Sequence, residues 1–204
     1  MSDHNTEEKI LEAARNVFIA KGLDGARMQD IADQAGINKA LLHYYFRSKD
    51  KLFQKVFLEK GKEMLVILQE VINSEHLTVR EKISILIDRE FAKLEQDPMM
   101  PLFIITEMNR NPERLLLVEE LQVGKVHLKK LFKQVKKEIE AGTIRKDIHV
   151  EDIILDIMSL MHFPRLSRNL LTEMLFDGDQ TAYANTLERR KEHIKYLVLK
   201  NLEP

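Results

Sequence analysis

Apolar residues recur at three- and four-residue spacing along nearly all of this chain, and two-residue alternation is almost absent. Such periodicity puts one apolar stripe on each helix and leaves nothing from which to build a half-buried sheet. The expected fold class is therefore all-α. Seven glycines and five prolines among 204 residues leave room for long helices, and several of them stand where a helix has to stop.

Ile10, Leu11, Ala14, Val17 and Phe18 form the buried stripe of a first helix, expected over 6–21. Asn5 is its expected cap, Glu8 the capping-box partner, and Gly22 the stop. Two short helices are expected at about 28–35 and 39–45, separated by Gly36-Ile37-Asn38, with Asn38 capping the second. Ser48 caps a long helix carrying Leu52, Phe53, Val56 and Phe57. Thr78 with Glu81 opens another, and Asp97-Pro98 and Asn111-Pro112 are start signals for two more. The latter of these helices should end near Ala141-Gly142. A helix from about Val150 carries Ile153, Ile154, Ile157, Met158 and Met161, and Pro164 kinks or interrupts it. After a turn at 176–179, the last helix shows Tyr183, Leu187, Ile194 and Leu197 on one side.

Composition excludes several classes. The chain has no cysteine, hence no disulfide framework, thiolate metal site or thiol nucleophile. With 44% hydrophobic and 32% charged residues it can bury a core and stay soluble. No apolar run reaches the roughly 18 residues of a membrane span, and the first residues are polar, so a cytoplasmic protein with no membrane partner is expected. The histidines at 4, 43, 76, 127, 149, 162 and 193 show no zinc-site spacing, and there is neither a glycine-rich phosphate loop nor a nucleophile elbow. No enzymatic activity, metal or cofactor is expected.

The net charge of −1 does not announce a nucleic-acid binder, but its distribution does. Between Ala26 and Lys55 stand Arg27, Lys39, Arg47, Lys49, Lys51 and Lys55 against Asp30, Asp33 and Asp50, a local excess of +3. Within that stretch, Gln29 to Leu42 has the pattern of a helix-turn-helix. Two short helices cross steeply only if a small residue lies where they touch and a residue tolerant of positive φ lies in the turn. Ala32 and Gly36 meet those needs, and Ile31, Ile37 and Leu42 would lock the pair. The second helix of such a unit enters the major groove of double-stranded DNA. Asn38 and Lys39 stand at its start. The aromatic and basic run from His43 to Lys51 leads into the next capped helix, where hydroxyls, lysines and a helix N-terminus can all bind phosphate.

These residues resemble the tetracycline-repressor (TetR) family of transcriptional regulators. The resemblance rests on Ala14, Phe18, Gly22, Asp30-Ile31-Ala32, Ala35-Gly36-Ile37, Leu42, Tyr44, Phe46, Lys49 and Leu52, within about 10–57. It implies a three-helix DNA-binding domain over 1–50 and a helical ligand-binding and dimerisation domain over 51–204. It also implies a regulator, expected to be a repressor, whose affinity for an operator is set by a small effector. The residues it assigns to DNA are Arg27, Asn38, Lys39, Leu41, His43, Tyr44, Tyr45 and Lys49. The sequence departs from the family at Arg27, where a capping Thr or Ser is frequent, and at Ala40-Leu41, where Gly-Thr is common. His43 and Tyr45 replace a frequent Tyr and a frequent His. A DNA-binding role outside transcription, such as chromosome organisation, is the alternative.

Methionine suits cavities that accept varied apolar shapes. The resemblance places a ligand cavity among the middle helices, and Phe103, Met108, Met158, Met161 and His162 are its candidates, with a mainly apolar effector in view. Arg165 and Arg168 could hold an anionic group. Plain core packing is the competing reading. The stripe Tyr183, Leu187, Ile194 and Leu197 needs a partner, and a two-fold bundle with the helix after His149 would supply one, giving a homodimer.

Overall fold

The computed structural model describes residues 3–110, 112 and 119–204. Every regular element of any length among them is a helix: α1 (Asp3–Gly25), α2 (Met28–Ala35), α3 (Lys39–Tyr45), α4 (Lys49–Ile72), α5 (Val79–Gln96), α6 (Met100–Arg110), α7 (Glu119–Glu140), α8 (Val150–Leu166), α9 (Arg168–Phe176) and α10 (Gln180–Lys200). They form two compact units. The described residues within Met1–Leu65 and Met99–Gln122 make the first, and those within Val66–Pro98 and Val123–Pro204 the second.

The first unit collects α1, α2, α3, the start of α4 and α6 around one core. Ile10, Ala14 and Phe18 of α1 are fully buried with Ile31 and Ala32 of α2, Leu42 of α3 and Leu52 of α4. Phe53 joins α1 and α6 to this core by edge-on contacts with Phe18 and Phe103, at 5.4 and 5.6 Å between ring centroids. α1 begins at Asp3, so Asn5 lies inside its first turn and not at the cap. Gly22 does interrupt the helix: at φ 66° and ψ 173° it kinks α1 and sets off a last turn that ends at Gly25.

The second unit is built on α5, whose Val79, Ile83, Ile87, Phe91 and Leu94 are buried along one side. They pack with Leu131 and Val135 of α7, Ile153 and Met161 of α8, and Ile194 and Val198 of α10. The Thr78–Glu81 capping box is present in both directions. Lys82 is buried yet satisfied, because its Nζ donates to Ile72 O (2.8 Å) and Gln134 Oε1 (2.6 Å), and burial lowers its pKa. Gln134 in turn donates to Leu77 O, so α7 is tied to the turn before α5.

Pro164 lies inside α8, which runs on to Leu166, and α9 follows as a separate helix that the sequence pattern alone does not divide off. A proline has no N–H to give to the carbonyl four residues back. That carbonyl, Leu160 O, accepts a bond from Arg190 Nη2 of α10 at 3.3 Å. Asp179 caps α10 by accepting from the N–H groups of Thr181 and Ala182. The start of the helix expected after Asn111-Pro112 falls outside the described residues; its visible part, α7, ends just before Ala141-Gly142. Among the described residues no helix is long and apolar enough to cross a membrane.

Candidate nucleic-acid interface

The angle between α2 and α3 is made by Gly36, at φ 67° and ψ 33°. Its N–H donates to Asp33 O (3.2 Å), and the N–H of Ile37 donates to Ala32 O (3.0 Å). These paired bonds close the end of α2 as a Schellman turn. A Cβ at position 36 would meet nothing within 4 Å, so glycine is required for its backbone angle alone. Ala32 is fully buried, and Ile37 packs half-buried against the core.

α3 divides cleanly into two faces. Leu42 and, just past the helix, Phe46 turn inward. Lys39, Ala40, Leu41, His43 and Tyr44 are exposed. Tyr44 stands 77% exposed, with its ring edge-on to half-buried Tyr45 at 5.5 Å. Asn38 caps α3: its Oδ1 accepts from the N–H of Leu41 at 2.8 Å, which leaves its NH2 group for a ligand. Arg27 precedes α2 in extended conformation, exposed and making no side-chain cap bond. Two exposed cations in the same stretch, Arg47 and Lys51, were part of the basic cluster in the sequence but not among the assigned contact residues.

The corner between α1 and α2 is tied by charge-assisted bonds. Lys49, in the first turn of α4, donates from Nζ to Ala26 O (3.0 Å) and Asp24 O (3.3 Å). Two of its three donors are thus spent on backbone carbonyls and one remains. Lys21 bonds Asp30 at 2.7 Å, and that bond holds the Asp30 carboxyl below the usual carboxylate range. Ser48 Oγ accepts from the N–H of Lys51 and so caps α4.

The candidate ligand residues are spread over both units. Phe103 belongs to the core of the first. Met161 and His162 are buried in the second, Met158 is 45% exposed, and the side chain of Met108 lies outside the described residues. His162 Nε2 stands 3.7 Å from Glu90 Oε1. Burial, and secondly Arg165, hold the His162 imidazole below its ordinary value; burial pushes Glu90 up. The Arg165 guanidinium sits 4.6 Å above the Phe91 ring and donates to Met161 O. Arg168 instead pairs with Gln180. Glu90 carries no signal in the sequence, where an acid among Asp88, Arg89 and Lys93 reads as a solvated face.

The candidate interface residues on α10 also divide. Tyr183 is buried, edge-on to Phe176 at 5.7 Å with its hydroxyl donating to Pro164 O. Ile194 is fully buried in the core of the second unit, Leu187 is half-buried, and Leu197 is 40% exposed. The large apolar side chains left exposed on these helices are Leu155, Met158 and Phe163 of α8, Leu170, Met174 and Leu175 of α9, and Tyr196 and Leu197 of α10.

A tight helix-turn-helix with a charged, aromatic outer face defines a DNA-binding regulator. Residues 10–56 match the family model of bacterial regulatory proteins of the tetR family. The fatty acid metabolism regulator protein of Bacillus subtilis is 27% identical over 143 residues, 70% of this chain and 72% of its own. The transcriptional repressor NicS of Pseudomonas putida is 29% identical over 186 residues, 83% and 80%. A solved structure of a Clostridium perfringens putative fatty acid metabolism regulator has the same fold, with TM-score 0.67, 22% identity and coverage of 96% and 99%. Residues 10–56 thus match a TetR-type DNA-binding domain, and the chain is similar over most of its length to regulators of transcription.

Lys49→Met removes both bonds to the α1–α2 corner while keeping the aliphatic stem. It should lower the free energy of unfolding by about 1 kcal/mol, measured by urea denaturation.

Proposed function

We propose that this chain is a repressor that binds an operator through the outer face of α3, with α2 and the start of α4 against the phosphates. The observation that carries this reading is the exposure of Lys39, Leu41, His43 and Tyr44 on one short helix whose other side is locked into the core. Lys39, in the first turn of α3, is placed to reach a guanine edge, and Leu41 a thymine methyl. Arg27, Asn38, Tyr44, Tyr45 and the remaining donor of Lys49 serve the backbone, which positions without reading sequence. Lys39→Ala should alter preference at one base pair per half-site by about 1–3 kcal/mol. Binding to single-base operator variants at two salt concentrations checks this. A uniform loss across all variants, with the salt slope reduced by about 1, makes Lys39 a phosphate contact instead.

A dimer places two such helices in successive major grooves. We place its seam on the exposed apolar side chains of α8 and α10, with Phe163, Tyr196 and Leu197 central. Tyr183 and Ile194 then act from behind, as the core that holds α10 in place. Leu197→Glu should convert a dimer to monomers at micromolar concentration in analytical sedimentation, with little change in helicity. An unaltered dimer places the seam elsewhere.

The effector in this reading is a small, mainly apolar molecule held in the second unit near Met158 and Met161. Its anionic end would lie towards His162 and Arg165. The relatives named for fatty acid metabolism support that chemistry. A ligand that binds better to the conformation unsuited to DNA lowers operator affinity by its difference in affinity for the two. A fatty acid should therefore raise the melting temperature of the free protein by several degrees at saturation. If only sugars or metal ions do so, the assignment fails. A regulator of this kind works in the cytoplasm, beside its DNA.

A further inference from the structure

We propose that Glu107 of α6 is a positioning residue for the DNA interface, acting by pinning the break in α1. The kink at Gly22 takes Leu23 out of the regular helical ladder. The Leu23 N–H donates instead to Glu107 Oε1, at 3.3 Å. Glu107 is only 3% exposed, and Arg110 Nη1, one turn further along α6, stands 3.8 Å from the same oxygen. Gly22 permits this approach. A Cβ there would meet Glu107 Oε1 and Arg110 Nη1, each at 3.3 Å, and would have to adopt φ +66° as well. Missing side chain and left-handed backbone at Gly22 thus serve one contact.

The pinned corner leads directly into the DNA-binding helices. Ala26 N–H bonds back to Gly22 O at 3.2 Å, and Lys49 holds the carbonyls of Asp24 and Ala26. Glu107 fixes an N–H on one side of the corner, and Lys49 fixes carbonyls on the other. Arg27 and the first turn of α2 follow at once. The described residues within 99–122 are grouped with this unit although the chain on both sides of them belongs to the second. Displacing α6 therefore changes the direction in which α1 delivers α2.

This inference rests on DNA binding through α3, and the test separates the two. The probe is a labelled duplex enriched from a random pool by the wild-type chain. Glu107→Gln keeps an acceptor at the same reach, whereas Glu107→Asp keeps the charge on a side chain one methylene shorter. Glu107→Asp should bind the duplex about tenfold more weakly well below its melting temperature, with faster exchange of the Leu23 amide. Glu107→Gln should restore both. The contrast does not depend on Glu107→Ala folding. Equal affinity of Glu107→Asp and wild type, or Leu23 exchange unaltered in Glu107→Asp, overturns the role. A loss of affinity in Glu107→Gln that Glu107→Asp escapes makes the charge, not the bond, the cause and also overturns it. A wild-type chain that enriches no duplex overturns the DNA-binding reading itself, and the positioning role with it.

Discussion

One left-handed residue carries the geometry on which the DNA-binding unit depends. With Gly36 at φ 67°, α2 closes on its own carbonyls and α3 departs after two residues. A side chain there would cost roughly 1–2 kcal/mol of backbone strain, although there is space for it. The short turn in turn forces close contact between α2 and α3, which is why Ala32 is fully buried. It also leaves α3 only one way to satisfy its core. Leu42 and Phe46 face inward, Tyr45 packs half-buried beside them, and Lys39, His43 and Tyr44 face out. The recognition surface is therefore a consequence of packing as much as of charge.

Much of this was legible in the sequence because local rules decide it. Gly36, Asn38, Ser48 and the Thr78–Glu81 pair act within a few residues of themselves, and each is found in the role its spacing implies. Asn5 is the local exception, since helix continues on its N-terminal side. Pro164 shows the limit of such rules: its effect depends on Arg190, 26 positions away in the sequence, taking up the freed carbonyl.

Residues whose role depends on a distant neighbour were not legible. Tyr183, Leu187, Ile194 and Leu197 form one stripe by spacing, yet Tyr183 and Ile194 are buried and Leu197 is exposed. A helix that packs on its own core and still carries apolar residues outward has a stripe too broad for one partner, and periodicity cannot say which part faces where. Phe103 and Met161 both read as methionine- or phenylalanine-rich helix, yet they belong to the cores of different units. Glu90 is half-buried on a helix rich in charge and Glu107 is buried on a mostly apolar one, and periodicity singles out neither. Lys49 was visible as a cation at a helix start; that it also ties the carbonyls of Asp24 and Ala26 was not.

The central claim is that DNA is held by the outer face of α3 and the chain ends that frame it. Amide chemical-shift changes on adding an operator duplex to the isotope-labelled protein test it most directly. The account predicts the largest changes at Arg27 and from Asn38 to Lys51, with the buried α5 positions Ile83 and Ile87 little affected. Largest changes on α8 to α10, with α3 unmoved, would contradict it.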